Sequence, residues 1–138
     1  IDTAAVVDIM TVNALTASNG VIIPAQCDIL SLNALKDSYD LIQSARENVN
    51  AGLKIYGVLL TRVISRSKTA ARIAEMFKEA AAAMNTRVFS SQIRESATVR
   101  TAQALQRDIL TYRPQGNAAK DYQSFINELE IILKMESD

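Results

Sequence analysis

The sequence predicts an α/β fold: a mostly parallel sheet with helices on both faces. Short β-branched runs alternate with stretches of helical period, and the connections between runs are long enough for crossover helices. The chain also has the size and apolar content of one domain. At 138 residues, 49% hydrophobic and 22% charged, it can bury a single core, which excludes wholesale disorder.

Taken in order, residues 6–18, with Met10, Ala14 and Ala17, predict a first helix, and Ile1 reads as the last residue of a strand whose body would precede it. Val21, Ile22 and Ile23, stopped by Pro24, predict the first full strand. Leu32, Leu35, Tyr39, Ile42 and Val49 then recur at helical spacing, with Ser31 near the start and Gly52 past the end. Ile55 to Ile64 is too apolar on both faces for an exposed strand. Ala70, Ala74, Phe77, Ala81 and Met84 line one face of the next helix, and Val88, Phe89 and Ile93 mark a third, weaker strand. Val99, Ala102 and Leu105 form a short helical stripe, and Ala118, Tyr122, Phe125, Leu129 and Ile132 a clear amphipathic terminal helix. Strands joined this way imply right-handed crossovers. No repeat or linker divides the chain, so residues 1–138 read as one layered unit, part of something longer.

Composition narrows the function. No apolar run approaches the roughly 18 residues a membrane span needs, and no signal peptide opens the chain. Cys27 is the only cysteine, which excludes an internal disulfide, and the absence of histidine excludes His-ligated zinc and Ser-His or Cys-His catalysis. No asparagine lies in a glycosylation acceptor site, so a cytoplasmic address is expected. The net charge of zero conceals an asymmetry: residues 61–120 carry 11 Lys/Arg against 4 Asp/Glu, while the flanking segments are acidic.

Open parallel sheets bind ligands beyond the carboxyl ends of their strands, which nominates the loops 2–5, 24–28, 61–67 and 94–98. Asp2, at such an end, is placed to hold a hydrated magnesium ion beside a phosphate, although an aspartate there also serves as a cap. A phosphate cradle is missing. Only Gly52 and Gly57 have the P-loop spacing; Val58 follows instead of lysine, and Gly57 sits inside an apolar strand. Cys27 reads as a small buried thiol, with mild reactivity as the other reading. Aromatic residues make up 5% of the chain, which disfavours base stacking but leaves arginine–phosphate contact open.

Several blocks, in order, then resemble the ParA (Soj-like) partition ATPases of the ParA/MinD deviant Walker group. They are Ile1-Asp2-Thr3, Thr11-Val12-Asn13-Ala14-Leu15-Thr16-Ala17-Ser18 and Val21-Ile22-Ile23-Pro24-Ala25-Gln26-Cys27. Gly57 to Thr61, Val88-Phe89, Ile93-Arg94-Glu95-Ser96 and Pro114 to Tyr122 continue the match. The resemblance covers essentially the whole chain and corresponds to the carboxyl-terminal portion of such a protein. It implies a P-loop NTPase-like fold lacking its Walker A part, with ATP and magnesium bound by the intact parent and none by this chain. It also implies binding of nonspecific DNA, a ParB-type adaptor that stimulates hydrolysis, a homodimer, no membrane, and a cytoplasmic, nucleoid-associated location. By the same likeness Asp2 takes the magnesium position, and Thr61 and Arg62 approach the adenine.

The chain departs from the family where Ala4-Ala5 replaces Pro-Pro and where Gln115-Gly116-Asn117 lacks basic residues. DNA contact is therefore expected from Arg94, Arg100 and Arg107, the last two seven residues apart and so near one helical side, with ion pairs to Glu95 or Asp108 as the bland reading. The chain alone is expected not to hydrolyse ATP. A membrane-cycling relative is disfavoured because residues 121–138 are acidic, and an iron–sulfur relative because there is one cysteine. The alternative is a non-catalytic α/β interaction module without nucleotide binding. Exposed apolar edges predict self-association in either case.

Overall fold

The computed structural model describes residues 1–3 and 8–135; the Ala4-Ala5 departure lies outside the described residues. Ser or Asp side chains open the first five helices, each accepting a backbone N–H of the first turn. Asp8 opens α1 (Ile9–Ala17) and Asp28 opens α2 (Ile29–Asn48). Ser67 opens α3 (Lys68–Ala83), Ser96 opens α4 (Ala97–Ala104), and Asp108 opens the short α5 (Ile109–Tyr112). Ser31, expected near the start of α2, instead donates its backbone N–H to Asp28 at 2.7 Å. The terminal helix α6 runs Asn117–Met135. Among the described residues no helix is long and apolar enough to cross a membrane.

Strands β1 (Gly20–Gln26) and β2 (Lys54–Thr61) pair in parallel. Pro24 does not stop β1 as expected. Cys27 N–H donates to the Thr61 carbonyl at 3.1 Å, and alternate residues of a parallel strand bond the same neighbour, so position 24 faces away from β2 and its missing N–H costs no bond there. A bulge shifts the register between Val21 and Ile22, leaving Tyr56 as the extra residue before Gly57. Gly57 has φ +152°, and a Cβ there would stand 3.0 Å from both the Arg87 carbonyl oxygen and the Phe89 ring. Glycine is required at that point.

The third strand is present as a fragment. Val88 and Arg94 bridge in parallel to Val58 and Val63, and five backbone bonds tie 87–95 to β2 and the residue pair after it. Between the two bridges the segment leaves the ladder.

Helices cover both faces. On one side Leu15, Leu35, Ile42, Ile73 and Phe77 from α1–α3 pack on Ile23, Val58 and Leu60. On the other, Ile132, Phe125 and Leu129 of α6 pack on Leu59, Phe89 and Ile93, with Phe125 edge-on to Phe89 at 5.0 Å between centroids. Asn50 fixes α1 to the α2–β2 turn by donating its amide to the carbonyls of Leu15 and Ser18 at 2.9 and 2.8 Å. The expected first helix begins later than residue 6, and Met10 and Ala17 lie outside its buried face, which is Thr11, Ala14 and Leu15. Residues 1–3 have no regular structure, so the strand ending expected at Ile1 is not among the described elements.

Candidate functional site at the carboxyl ends of the strands

The carboxyl ends of β1, β2 and the 93–96 segment meet around one charged bridge. Thr61 ends β2 with its hydroxyl donating to the Ala25 carbonyl at 3.2 Å. Arg62 follows with φ +51°, a left-handed conformation that costs a non-glycine residue about 1 kcal/mol or more. That backbone places its guanidinium against Glu95 (Nε to Oε2, 2.8 Å) and Gln26 (3.3 Å). Arg100 of α4 reaches the other oxygen of Glu95. One carboxylate therefore bridges two cations across the rim and leaves the trio with a net positive charge, and the Arg62 guanidinium, aided by Arg100, holds the Glu95 carboxyl below the usual carboxylate range.

Behind this bridge lies a pocket of about 330 Å³ lined by Thr61, Ile93, Ser96, Val99, Gln103 and Tyr122 as well as the bridging residues. Its size lies at the low end of small-molecule sites, and its walls combine apolar surface with a few convergent polar groups. Among the sequence candidates, Thr61, Arg62, Arg94 and Arg100 all line it. Asp2 is exposed, in the segment preceding α1, and Arg107 is exposed beyond α4.

Two of the arginines expected to contact DNA have other engagements. Arg94 makes a bidentate pair with Asp121 of α6 at 2.6 and 2.7 Å, and its backbone N–H donates to the same carboxylate at 3.2 Å. Arg100 is held by Glu95, one of the two ion pairs the bland reading named. The helical-face argument joining Arg100 and Arg107 fails. Helix α4 stops at Ala104; Gln106 takes φ +51°, and the N–H groups of Gln106 and Arg107 close back on Gln103 and Ala102.

Cys27 sits beside the rim but is a structural thiol. Its Sγ donates to the Ala70 carbonyl at 3.4 Å, and burial, with Asp28 nearby, pushes its pKa up, away from thiolate.

Sequence reasoning missed the two α6 carboxylates. Asp121 binds Arg94, and Glu128 accepts the backbone N–H groups of Ser90 and Ser91 at 2.7 and 2.8 Å. They lie seven residues apart on α6, on one helical side, and pin the irregular segment that the broken ladder leaves free. Partners 27–38 residues distant leave no local pattern to read. The only available signal was their placement beside the apolar stripe of α6.

Comparison with known proteins places this geometry. A family model described as an AAA domain matches residues 1–55. The sporulation initiation inhibitor protein Soj of Bacillus subtilis is 28% identical over 88% of this chain and 47% of its own length. The chromosome partitioning protein ParA of Caulobacter vibrioides is 30% identical over 81% of this chain and 41% of its own. The solved structure of apo McdA from Cyanthece superposes with a TM-score of 0.69 at 24% identity, covering 86% of this chain and 46% of that one, a likeness of fold. The chain thus spans somewhat under half the length of the curated relatives it matches.

Proposed function

Because the chain belongs to the ParA/Soj-like family of partition ATPases, we propose that it forms the base-side and DNA-facing part of an ATP-driven plasmid or chromosome partition protein. The observation that carries this reading is the Arg62–Glu95–Arg100 bridge beside a 330 Å³ pocket at the carboxyl ends of parallel strands. Thr61 and Arg62 would stand against the nucleobase. Asp2 would hold magnesium through water, because that ion keeps most of its hydration and asks for one or two carboxylates. Bound ATP would supply the phosphoryl group; this chain would orient the base and the metal-bound water.

None of the four glycines opens a helix directly after a strand, so the phosphate grip is not built from them. The chain alone is therefore proposed not to turn over ATP. The partners proposed with it are nonspecific DNA, a ParB-like adaptor and a second copy, in the cytoplasm at the nucleoid. Of the three arginines first expected to contact phosphate, Arg107 is the one without a carboxylate partner among the described residues. Exposed Ile9, Met10 and Leu30, in the first turns of α1 and α2, favour self-association.

Nuclear magnetic resonance with ATP and magnesium tests the site. Without the phosphate grip the chain alone is expected to hold no ATP tightly, so weak shifts centred on Thr61, Arg62, Glu95 and Tyr122, seen only at high nucleotide concentration and without turnover, are the expected result. No shift at that rim would leave a non-catalytic interaction module as the better reading, and measurable hydrolysis would overturn the assignment of the phosphate grip elsewhere.

A further inference from the structure

The segment 97–116, which carries α4 and α5, joins the strand ends to α6 and is packed unlike the rest of the chain. Ala102 is its only buried residue, and neither hydrophobic cluster includes any part of it. Cavities flank it. Val99, Arg100 and Gln103 of α4 wall the 330 Å³ pocket, Val99 and Gln103 standing one turn apart and so on one helical side. A second cavity of about 510 Å³ lies between the two ends of the segment, lined by Ser96 and Thr98 at one end and by Ile109, Arg113 and Gly116 at the other. Among the described residues Arg100 is the only side chain of the segment that bonds outside it, and its partner is Glu95. Glu95 is bonded in turn to Arg62, just after β2, at 2.8 Å. The Arg62 and Arg100 side chains are 61% and 64% exposed, so this tie is of the kind that contributes little to stability.

From these observations we propose that residues 97–116 form a lid over the pocket, held shut by the Arg62–Glu95–Arg100 bridge. The segment moves as one body. The turn after α4 is closed by the N–H groups of Gln106 and Arg107 on Gln103 and Ala102, and Asp108 caps α5. The near pivot is Ser96, whose backbone is extended with φ −147°, and the far end rejoins α6 at Asn117. Opening uncovers little apolar surface, since Ala102 is the one buried residue the segment carries, and it breaks one exposed ion pair. Elements displaced at so small a cost belong to the low-stability end of a fold, from which the covers of ligand sites are drawn. Glu95 sets the closed position. With both oxygens engaged it links the end of β2 to the first turn of α4; once Arg100 lets go, that guanidinium and one carboxylate oxygen become available to a ligand. A purely structural brace would share in a core, and this segment shares in neither. The lid covers whatever ligand the pocket takes, so it stands independently of the partition reading.

Relaxation-dispersion nuclear magnetic resonance on the full chain is the test, because it reads microsecond-to-millisecond exchange at each backbone N–H. The unaltered chain should show exchange confined to residues 95–116, with flat profiles in α2 and α3. Glu95→Gln and, separately, Arg100→Gln should each raise the open population about 1.5- to 5-fold, the range for losing one exposed ion pair. Lys78→Gln, which removes the comparable exposed pair with Glu75 on α3, should leave that population unchanged. The open state should keep helical chemical shifts at residues 98–103. Flat profiles across 95–116 in the unaltered chain, or exchange shared equally by α3, would overturn the lid. Random-coil shifts for α4 in the open state would also overturn it, because they mean unfolding instead of hinged motion. An open population that either Glu95→Gln or Arg100→Gln leaves unchanged would overturn the latch.

Discussion

The two faces of the sheet are stabilised by different means. Under α1–α3 the described core is a cluster of 13 buried residues, built almost wholly of aliphatic and Ala side chains around Phe77. Under α6 the core cluster has four buried residues, Leu59, Phe89, Ile93 and Ile132, with partly buried side chains such as Phe125 and Leu129 packed on it, and two carboxylates gripping segment 90–94 add to the attachment. The first face follows a continuous ladder, β1 on β2; the second covers the point where the ladder breaks into isolated bridges. Apolar burial can be supplied by any side chain of suitable volume, whereas a carboxylate must meet specific N–H groups. The ligand rim lies on the second, polar-anchored side, where Arg94 links α6 to the pocket wall.

The sharpest way to break this comparison is to remove the same side chain from each face. Phe77 and Phe89 are 0% and 1% exposed, so Phe77→Ala and Phe89→Ala should each cost about 3–5 kcal/mol. The mode of loss should differ. Phe77→Ala should lower the urea midpoint of the whole chain, whereas Phe89→Ala should first accelerate amide exchange at residue 89, Ile93 and Glu95, whose N–H groups bond across the weaker seam. Uniform acceleration across β1 and β2 in both variants would mean that the two faces unfold as one unit.

A smaller effect sharpens the polar side. Burial alone would raise the Glu128 carboxyl, but the two backbone N–H groups it accepts outweigh that and leave it below its ordinary value of 4.5. Its folded pKa is thus depressed, so its contribution is complete above about pH 4.5 and is lost as pH falls through the folded value. Glu128→Gln should cost about 1–2 kcal/mol at neutral pH, the range for a charge-assisted hydrogen bond with partial exposure. The gap from the unaltered chain should then close on acidification. A gap constant from pH 7 to pH 3, followed by denaturant titration, would show that the clamp carries no charge-dependent stability.

The first face was the more legible in the sequence, for a physical reason. Leu35, Ile42, Phe77 and Ala81 repeat at helical spacing because each helix lays one side on the sheet, and that repeat is local. Val88, Phe89 and Ile93 showed as only a weak strand because two isolated bridges impose no period-two pattern over residues 90–92. The four rim loops were nominated by the topology rule alone, and Thr61, Arg62, Arg94 and Arg100 do line one pocket. The pairings of Arg94 with Asp121 and of Arg62 with Glu95 were not readable, since ion pairs between distant segments depend on how elements pack, whereas the local Arg100–Glu95 pair was among the readings the sequence offered. The break in α4 was missed because Gln106 is an uncommon choice for a left-handed cap; a glycine there would have announced it.

That uncommon choice gives the smallest prediction, and one that lies outside both faces. Gln106 is exposed, and its backbone must stay left-handed for the N–H groups of residues 106 and 107 to satisfy the carbonyls of Gln103 and Ala102. Glycine adopts that conformation without the Cβ penalty but loses more chain entropy on folding, so the two terms partly cancel. Gln106→Gly should therefore stabilise the chain by about 0.5–1 kcal/mol, read as a raised urea midpoint with an unchanged slope. Because α4 carries Arg100 into the bridge with Glu95, the gain should appear equally in backgrounds with and without Glu128→Gln. Equal gains would make the end of α4 independent of the α6 clamp. A gain that vanishes with Glu128→Gln would instead join the rim, α4 and α6 into one cooperative unit, and the polar face would then extend to the ligand pocket itself.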